Sequence, residues 1–220
     1  MHFEILVEDQ SGKVMLEALM PRLLGTVDTF EVHSYKGIGR IPKGLKTGSD
    51  PSKRILLDQL PKLLAGYGKT FSSYGETYPA VVIVVCDLDD RDRRTFAREL
   101  KLVAARASPC PKHAFCFAIE EGEAWFLGDA PAVRAAYPRA RPAVLSAYVN
   151  DSICGTWEVL ANAIYPGGAK TLSDLGWQSV GLEKSRWAAN ITPQMRLDGN
   201  RSPSFQAFVT TIQQSATTPI

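Results

Sequence analysis

The amino-acid sequence predicts an α/β fold: a mainly parallel sheet flanked by helices over residues 1–130, with a mostly helical C-terminal extension over residues 131–220 packed on that core. Three observations carry this reading. Strand and helix signals alternate through the first 130 residues, as right-handed βαβ crossovers require. Residues 81–86, VVIVVC, form an unbroken apolar run of the kind found in a central parallel strand buried on both faces. From Pro131 onward the strand signals fade and helical spacing takes over.

Residues 2–7 read as the first strand, which delivers Glu8 and Asp9 to its carboxyl end. Ser11 is the expected N-cap of the helix that follows. Leu16, Leu19, Leu23 and Leu24 give that helix an apolar stripe, and Pro21 is expected to kink it. A second strand is expected over residues 29–35. The most basic stretch comes next: a glycine-rich loop, residues 36–54, carries Lys36, Arg40, Lys43, Lys46, Lys53 and Arg54 against the single acid Asp50. Asp50 and Pro51 read as the start of a second helix, whose buried face is Ile55, Leu56, Leu60, Leu63 and Leu64. The central strand follows, then a charged helix over residues 91–107, a break at 109–111, a fourth strand over 113–119 and a short helix ending near Asp129. In the extension, helices are expected over 156–164, 183–191 and 204–214, the last with Ser202 as its cap.

Composition narrows the function classes. With 220 residues, 45% of them hydrophobic, the chain can bury a full core, and its formal net charge of +2 neither demands nor excludes a nucleic-acid partner. No apolar run is long enough for a membrane span, and residues 1–6 lack the charged start and apolar stretch of a signal peptide. The four cysteines show no spacing of a secreted disulfide framework. A cytoplasmic location and no membrane partner are therefore expected. Cys110, His113 and Cys116 offer three soft ligands, but a structural zinc site needs a fourth that the sequence does not supply.

The chemistry gathers at the strand ends. The central strand runs into Asp87, Asp89, Asp90 and Asp92, the first strand into Glu8, and the fourth into Glu120, Glu121 and Glu123. In open α/β sheets the carboxyl ends of the strands are where ligands bind. Asp87 and Asp89, one residue apart, offer two carboxylates to a hard cation such as magnesium, or manganese in its place. Either Glu120 or Glu123 is expected to add a further site carboxylate, while Asp90 and Asp92 read as loop and helix-start residues. Lys36, Arg40, Lys43 and Lys46 are the candidates for holding phosphate, with Lys184, Arg186 and Arg201 as further cations on the C-terminal side.

Glu8 after the first strand, Asp87-x-Asp89 after a buried strand and the order of elements resemble the Toprim fold shared by topoisomerases, bacterial primases and the overcoming-lysogenization-defect nucleases. The segment 119–129, IEEGEAWFLGD, resembles the Glu-x-x-Ala-Trp segment of a bacterial Toprim-like family. Lys184, Trp187, Ala188 and the run NRSPSFQAF at 200–208 resemble that family's C-terminal Asn-Arg-Ser-x-Ser-Phe segment. The resemblance implies that Glu8 serves as general acid or base and that Asp87 and Asp89 hold magnesium during phosphodiester chemistry. The sequence departs from the Toprim pattern at Asp9, where a glycine usually follows the glutamate. Two functions follow as expectations. One is a metal-dependent nuclease of DNA or RNA, with Glu8, Asp87 and Asp89 catalytic. The other is a noncatalytic Toprim-like module that partners an ATPase or a nucleic-acid complex, in phage defence.

Overall fold

The computed structural model describes residues 1–37, 56–75 and 78–217. Its centre is a four-stranded, all-parallel sheet of order β2-β1-β3-β4, formed by β1 (His2–Val7), β2 (Thr29–Ser34), β3 (Ala80–Asp87) and β4 (His113–Ala118). Helices α1 (Gln10–Leu23), α2 (Leu56–Ser73) and α3 (Arg93–Ala104) connect the strands in turn. The predicted α/β class and parallel sheet are what the chain adopts. β3 is the central strand that its sequence requires, buried from Ala80 to Cys86.

Alternation along the strands divides the core into two layers. Phe3, Ile5 and Val7 of β1 and Val81, Ile83 and Val85 of β3 face one side, together with α1. Leu6, Val82, Val84 and Cys86 face the other, where Leu56, Leu60 and Leu64 of α2 and Phe96, Leu100 and Val103 of α3 cover them. The strand order explains this partition. The crossover from β1 moves toward one edge of the sheet, whereas those from β2 and β3 move toward the other, so right-handedness puts α1 on one face and α2 with α3 on the opposite face. One helix cannot cover its face alone. The extension completes it.

Beyond β4 come α4 (Glu123–Leu127), α5 (Ala130–Ala136), α6 (Pro142–Ala147), α7 (Thr156–Ile164), α8 (Gly168–Asp174), α9 (Trp177–Ile191) and α10 (Pro203–Thr217). Trp125, Leu160, Trp187, Phe205, Phe208 and Ile212 join the α1 side of the sheet in one continuous apolar cluster. α9 lies along α1, and α10 lies against β4. The short helices α5, α6 and α8 go beyond the sequence-based expectation, because segments of six or seven residues are too brief to display a full helical period. The cap of α1 also differs. Asp9, not Ser11, is the N-cap, accepting from the Gly12 amide at 2.7 Å and from the Ser11 hydroxyl at 2.9 Å.

Ser202 caps α10 as expected, accepting from the Phe205 amide at 3.1 Å. Asp151 reinforces it from a distant loop, accepting from Ser202 Oγ and from the Ser204 amide, each at 2.7 Å. Asp151→Ala is expected to lower stability by about 1–2 kcal/mol, a fall in Tm of roughly 2–8 °C. Asp151→Asn should recover part of the loss, because asparagine keeps an acceptor and tolerates the left-handed backbone at φ 57°. Thermal unfolding of the two variants checks this. Unchanged Tm in both would contradict the role.

Candidate active site at the carboxyl edge of the sheet

The chain leaves β1 toward β2 on one side and leaves β3 toward β4 on the other, so the two exit loops diverge and open a crevice between the ends of β1 and β3. Glu8 follows β1, and Asp87 ends β3. Together with Asp9, Ser11, Gly12 and Glu123 they line a cavity of about 20 Å³ against the first turn of α1, room for about one water-sized species. Gly12 permits this closeness. A Cβ at that position would stand 2.5 Å from Val7 Cγ2. The φ of −141° at Asp9 needs no glycine, and its carboxylate is engaged as the helix cap.

β4 sends a second group of acids to the same edge. Glu123, at the start of α4, is buried at 2% exposure and lines the cavity with Glu8 and Asp87. Lys184 reaches in from α9. Its Nζ stands 3.2 Å from Glu123 Oε2 and 3.6 Å from Glu121 Oε2. Burial and the neighbouring Glu8 push the Asp87 carboxyl well above its ordinary range, against the pull of Lys184. Burial likewise raises Glu123, and it raises Glu121 to about 7, with Lys184 opposing in both cases. Lys184 itself is held above the ordinary lysine value: burial would lower it, but Glu123, Glu121, Asp87 and Asp9 together outweigh that. The ammonium stays charged, and among the described residues four carboxyl groups act on it.

The structure separates the sequence-predicted residues into two groups. Asp87, Glu8 and Glu123 share the inner cavity. Asp89 and Glu120 instead line a shallower depression with Asp90, Glu121 and Glu158. Both have left-handed backbones, φ 50° and φ 62°, and the Asp89 amide donates to the Glu120 carbonyl at 2.9 Å. Asp89 pairs with Arg91 at 3.5 Å. Glu120 is turned away from the inner cavity: its carboxylate accepts from the amides of Cys154, Gly155 and Thr156 at 3.1, 2.8 and 2.8 Å, anchoring the N-terminus of α7. Of the two glutamates left open by the sequence, Glu123 is the one beside Glu8 and Asp87.

Lys36 is exposed beyond β2, while Arg40, Lys43 and Lys46 lie outside the described residues. Arg186 pairs with Glu183 on its own helix. Lys184 sits among the acids. The sequence also left open whether Glu121, the glutamate at the start of 121–125, EGEAW, belongs to the site; it too faces Lys184. The position of Lys184 had no local signal, since only the packing of α9 on α1 brings it to the sheet edge.

Among the described residues, the one group of donors spaced for a metal ion is Glu4, Glu31 and His33, within 4.8 Å of one another. It lies mid-strand on β1 and β2, below the carboxyl edge. Its chemistry is that of an ion-pair network. His33 Nε2 stands 2.7 Å from Glu4 Oε2, His2 Nε2 stands 3.2 Å from Glu4 Oε1, and Tyr67 Oη donates to Glu4 at 3.3 Å. The Glu4 hydrogen bond raises His33 above its ordinary 6.5. Burial alone would raise Glu4, but the bonds to His33 and His2 prevail and hold it below 4.5. The Glu4 contribution is present above pH 4.5 and lost on acidification through its lowered folded value. The His33 contribution is present below pH 6.5 and lost as pH rises through its raised folded value. The Tm difference between wild type and Glu4→Gln should therefore be largest between pH 4.5 and 6.5 and shrink on either side. A flat difference across pH 4–9 would contradict the pairing.

No helix among the described residues is long and apolar enough to cross a membrane. No curated protein and no solved structure matches the chain. A family described as a domain of unknown function, DUF4276, matches residues 7–213, a span that runs from the end of β1 into α10 and includes every acid of the carboxyl edge. The chain belongs to the DUF4276 family.

Proposed function

We propose that the chain is a metal-dependent phosphodiesterase, a nuclease acting on DNA or RNA, with its active site at the carboxyl edge between β1 and β3. The observation that carries this reading is the imbalance of charge. Among the described residues, Asp9, Asp87, Glu121 and Glu123 crowd one edge beside Glu8, and Lys184 is the ammonium that faces these four. Carboxylates raised by burial and by one another mark a place where further positive charge would be bound favourably.

The donors are hard oxygens, which suit magnesium or manganese. Among the described residues, no three donors of this edge lie within 4.8 Å of one another. Magnesium commonly takes one or two carboxylates, so Asp87 and Glu8 would be the residues to hold it. Bound there, it would neutralise charge on a phosphoryl oxygen and lower the pKa of a water. The chain's own residues supply the rest. Glu121, near 7, can take up or return a proton at neutral pH. Lys184 keeps Glu121 and Glu123 in place, and Asp9 fixes the start of α1 behind Glu8. The Toprim resemblance supports the roles of Glu8 and Asp87. Asp89, in the outer depression, would face a substrate phosphate or a second cation.

A second reading rests on Lys184. Its ammonium already offsets part of the acidic charge, as suits a noncatalytic Toprim-like module that binds an ATPase or a nucleic-acid complex in phage defence. One experiment separates the two. Magnesium or manganese at about one hundred times its dissociation constant should stabilise the wild type by roughly 2.7 kcal/mol, a Tm rise of about 5–10 °C. Asp87→Asn and Glu8→Gln should lose most of that rise and all cleavage of single- and double-stranded DNA and RNA. Cleavage that persists in both variants would overturn the site. A metal-induced rise with no cleavage of any substrate would favour the binding module.

A further inference from the structure

A further cavity lies away from the acids. It is a cavity of about 480 Å³ between the end of α4, helices α5 and α6, and the loop 195–202 ahead of α10. That volume falls within the usual range for small-molecule sites, roughly 300–1,000 Å³. Arg134, Arg196 and Arg201 line it, with Ser146, Tyr148 and Asn150 among the polar groups, and no carboxylate contributes to the wall. Leu127, Pro131, Pro142 and Leu145 make the remainder apolar.

The arginines are placed by the surrounding fold. The Arg201 amide donates to the Gly128 carbonyl at 2.8 Å. Its neighbours are fixed as well: Asn200 Nδ2 donates to the Trp125 carbonyl at 2.7 Å, and Ser202 Oγ donates to Asp151 at 2.7 Å. Gly128 makes this contact possible, since a Cβ there would stand 2.2 Å from Asn200 Oδ1 and 2.8 Å from the Ser202 nitrogen. The Arg196 amide donates to the buried Asp129 at 2.7 Å, and its guanidinium lies over Gly199, where a Cβ would be 2.9 Å from Cζ. Asp129 lies 3.5 Å from the Arg196 guanidinium and answers one of the three charges. Arg134 and Arg201 are exposed, and among the described residues neither meets a carboxylate.

Two unanswered guanidinium groups and a partly neutralised third, in a cavity walled by apolar side chains and a tyrosine, call for an anion with an organic body. Guanidinium groups bind phosphate bidentately, and a dianionic phosphomonoester matches two of them better than a carboxylate does. We propose that this cavity binds a phosphomonoester group carried by a nucleotide-sized ligand. Arg134 and Arg201 take the phosphate, and the apolar wall with Tyr148 receives the sugar and base. Two sources share this chemistry, a free nucleoside monophosphate and the 5′-phosphorylated end of a strand. α4 spans only about 7.5 Å along its axis; Glu123 begins it, and the cavity lies at its other end. The inference stands on the cavity and its arginines, whether or not the acidic edge holds a metal.

The test is calorimetric titration of the full chain at low salt with adenosine 5′-monophosphate, a 5′-phosphorylated tetranucleotide and the same tetranucleotide with a 5′-hydroxyl. At least tenfold tighter binding of a phosphorylated probe than of the 5′-hydroxyl strand is expected, with at least a tenfold loss in both Arg134→Met and Arg201→Met. Both positions are exposed, so the Tm of each variant should stay within about 2 °C of wild type. Tighter binding of the monophosphate identifies a free nucleotide as the ligand, and tighter binding of the phosphorylated strand identifies a strand end. Absence of binding at millimolar probe, equal binding of the 5′-hydroxyl strand, or binding unchanged in both variants would overturn the proposal.

Discussion

Lys184 meets Glu121 and Glu123 where β4 hands over to α4, and the rest of the edge depends on that buried contact. A strand order that opens a crevice between β1 and β3 collects the ends of both strands, and here those ends are acidic. Carboxylates so placed repel one another and resist burial. An ammonium supplied by α9 keeps Glu123 buried at 2% exposure. Losing one member of such a buried pair typically costs about 3–5 kcal/mol, because the other is left uncompensated. The extension is thus part of the site as well as the missing cover for one face of the sheet.

Other polar ties hold the extension to the core in the same manner. Glu120 anchors the start of α7, Asp129 caps α5 and holds the Arg196 amide, and Asp151 secures the cap of α10. Arg22, in the last turn of α1, donates to the Thr192 carbonyl at 2.8 Å. Trp125 donates to Ser204 Oγ at 3.0 Å and stacks on Phe208. Asn200, Ser202 and Ser204 of the Asn-Arg-Ser-Pro-Ser-Phe run are buried and bonded, which leaves Arg201 as the member of that run directed to the cavity lining. A structural role for the run's small polar residues and a ligand-facing role for its arginine follow from one geometry.

What could be read from the sequence follows the range of the interactions. β3 was legible because a strand buried on both faces must be apolar throughout, and α7 because its nine residues show a full helical period. Glu8 and Asp87 were legible as acids at strand ends, since a parallel sheet puts all its carboxyl ends on one edge. The division between Asp87 and Asp89 was not. It depends on the left-handed turn at Asp89 and on its bond to Glu120, a residue of the next strand's exit. Nor could the sequence separate Glu120 from Glu123, because the amides that claim Glu120 lie 34–36 residues further along the chain. The arginine cavity was equally hidden, with its three guanidinium groups arriving from α5 and from two points in one loop.

The central claim is that, among the described residues, the edge crowds more buried carboxyl groups than Lys184 can keep ionised at ordinary values. Carboxyl-carbon NMR titration of the metal-free protein, with Glu121 and Asp87 assigned by Glu121→Gln and Asp87→Asn, reads this directly. The account predicts that Glu121 titrates near 7 and that Asp87 titrates well above the ordinary aspartate value of 3.8. Titration of both at ordinary carboxylate values would contradict it, because burial and crowding would then not penalise their ionisation and no further cation would be called for.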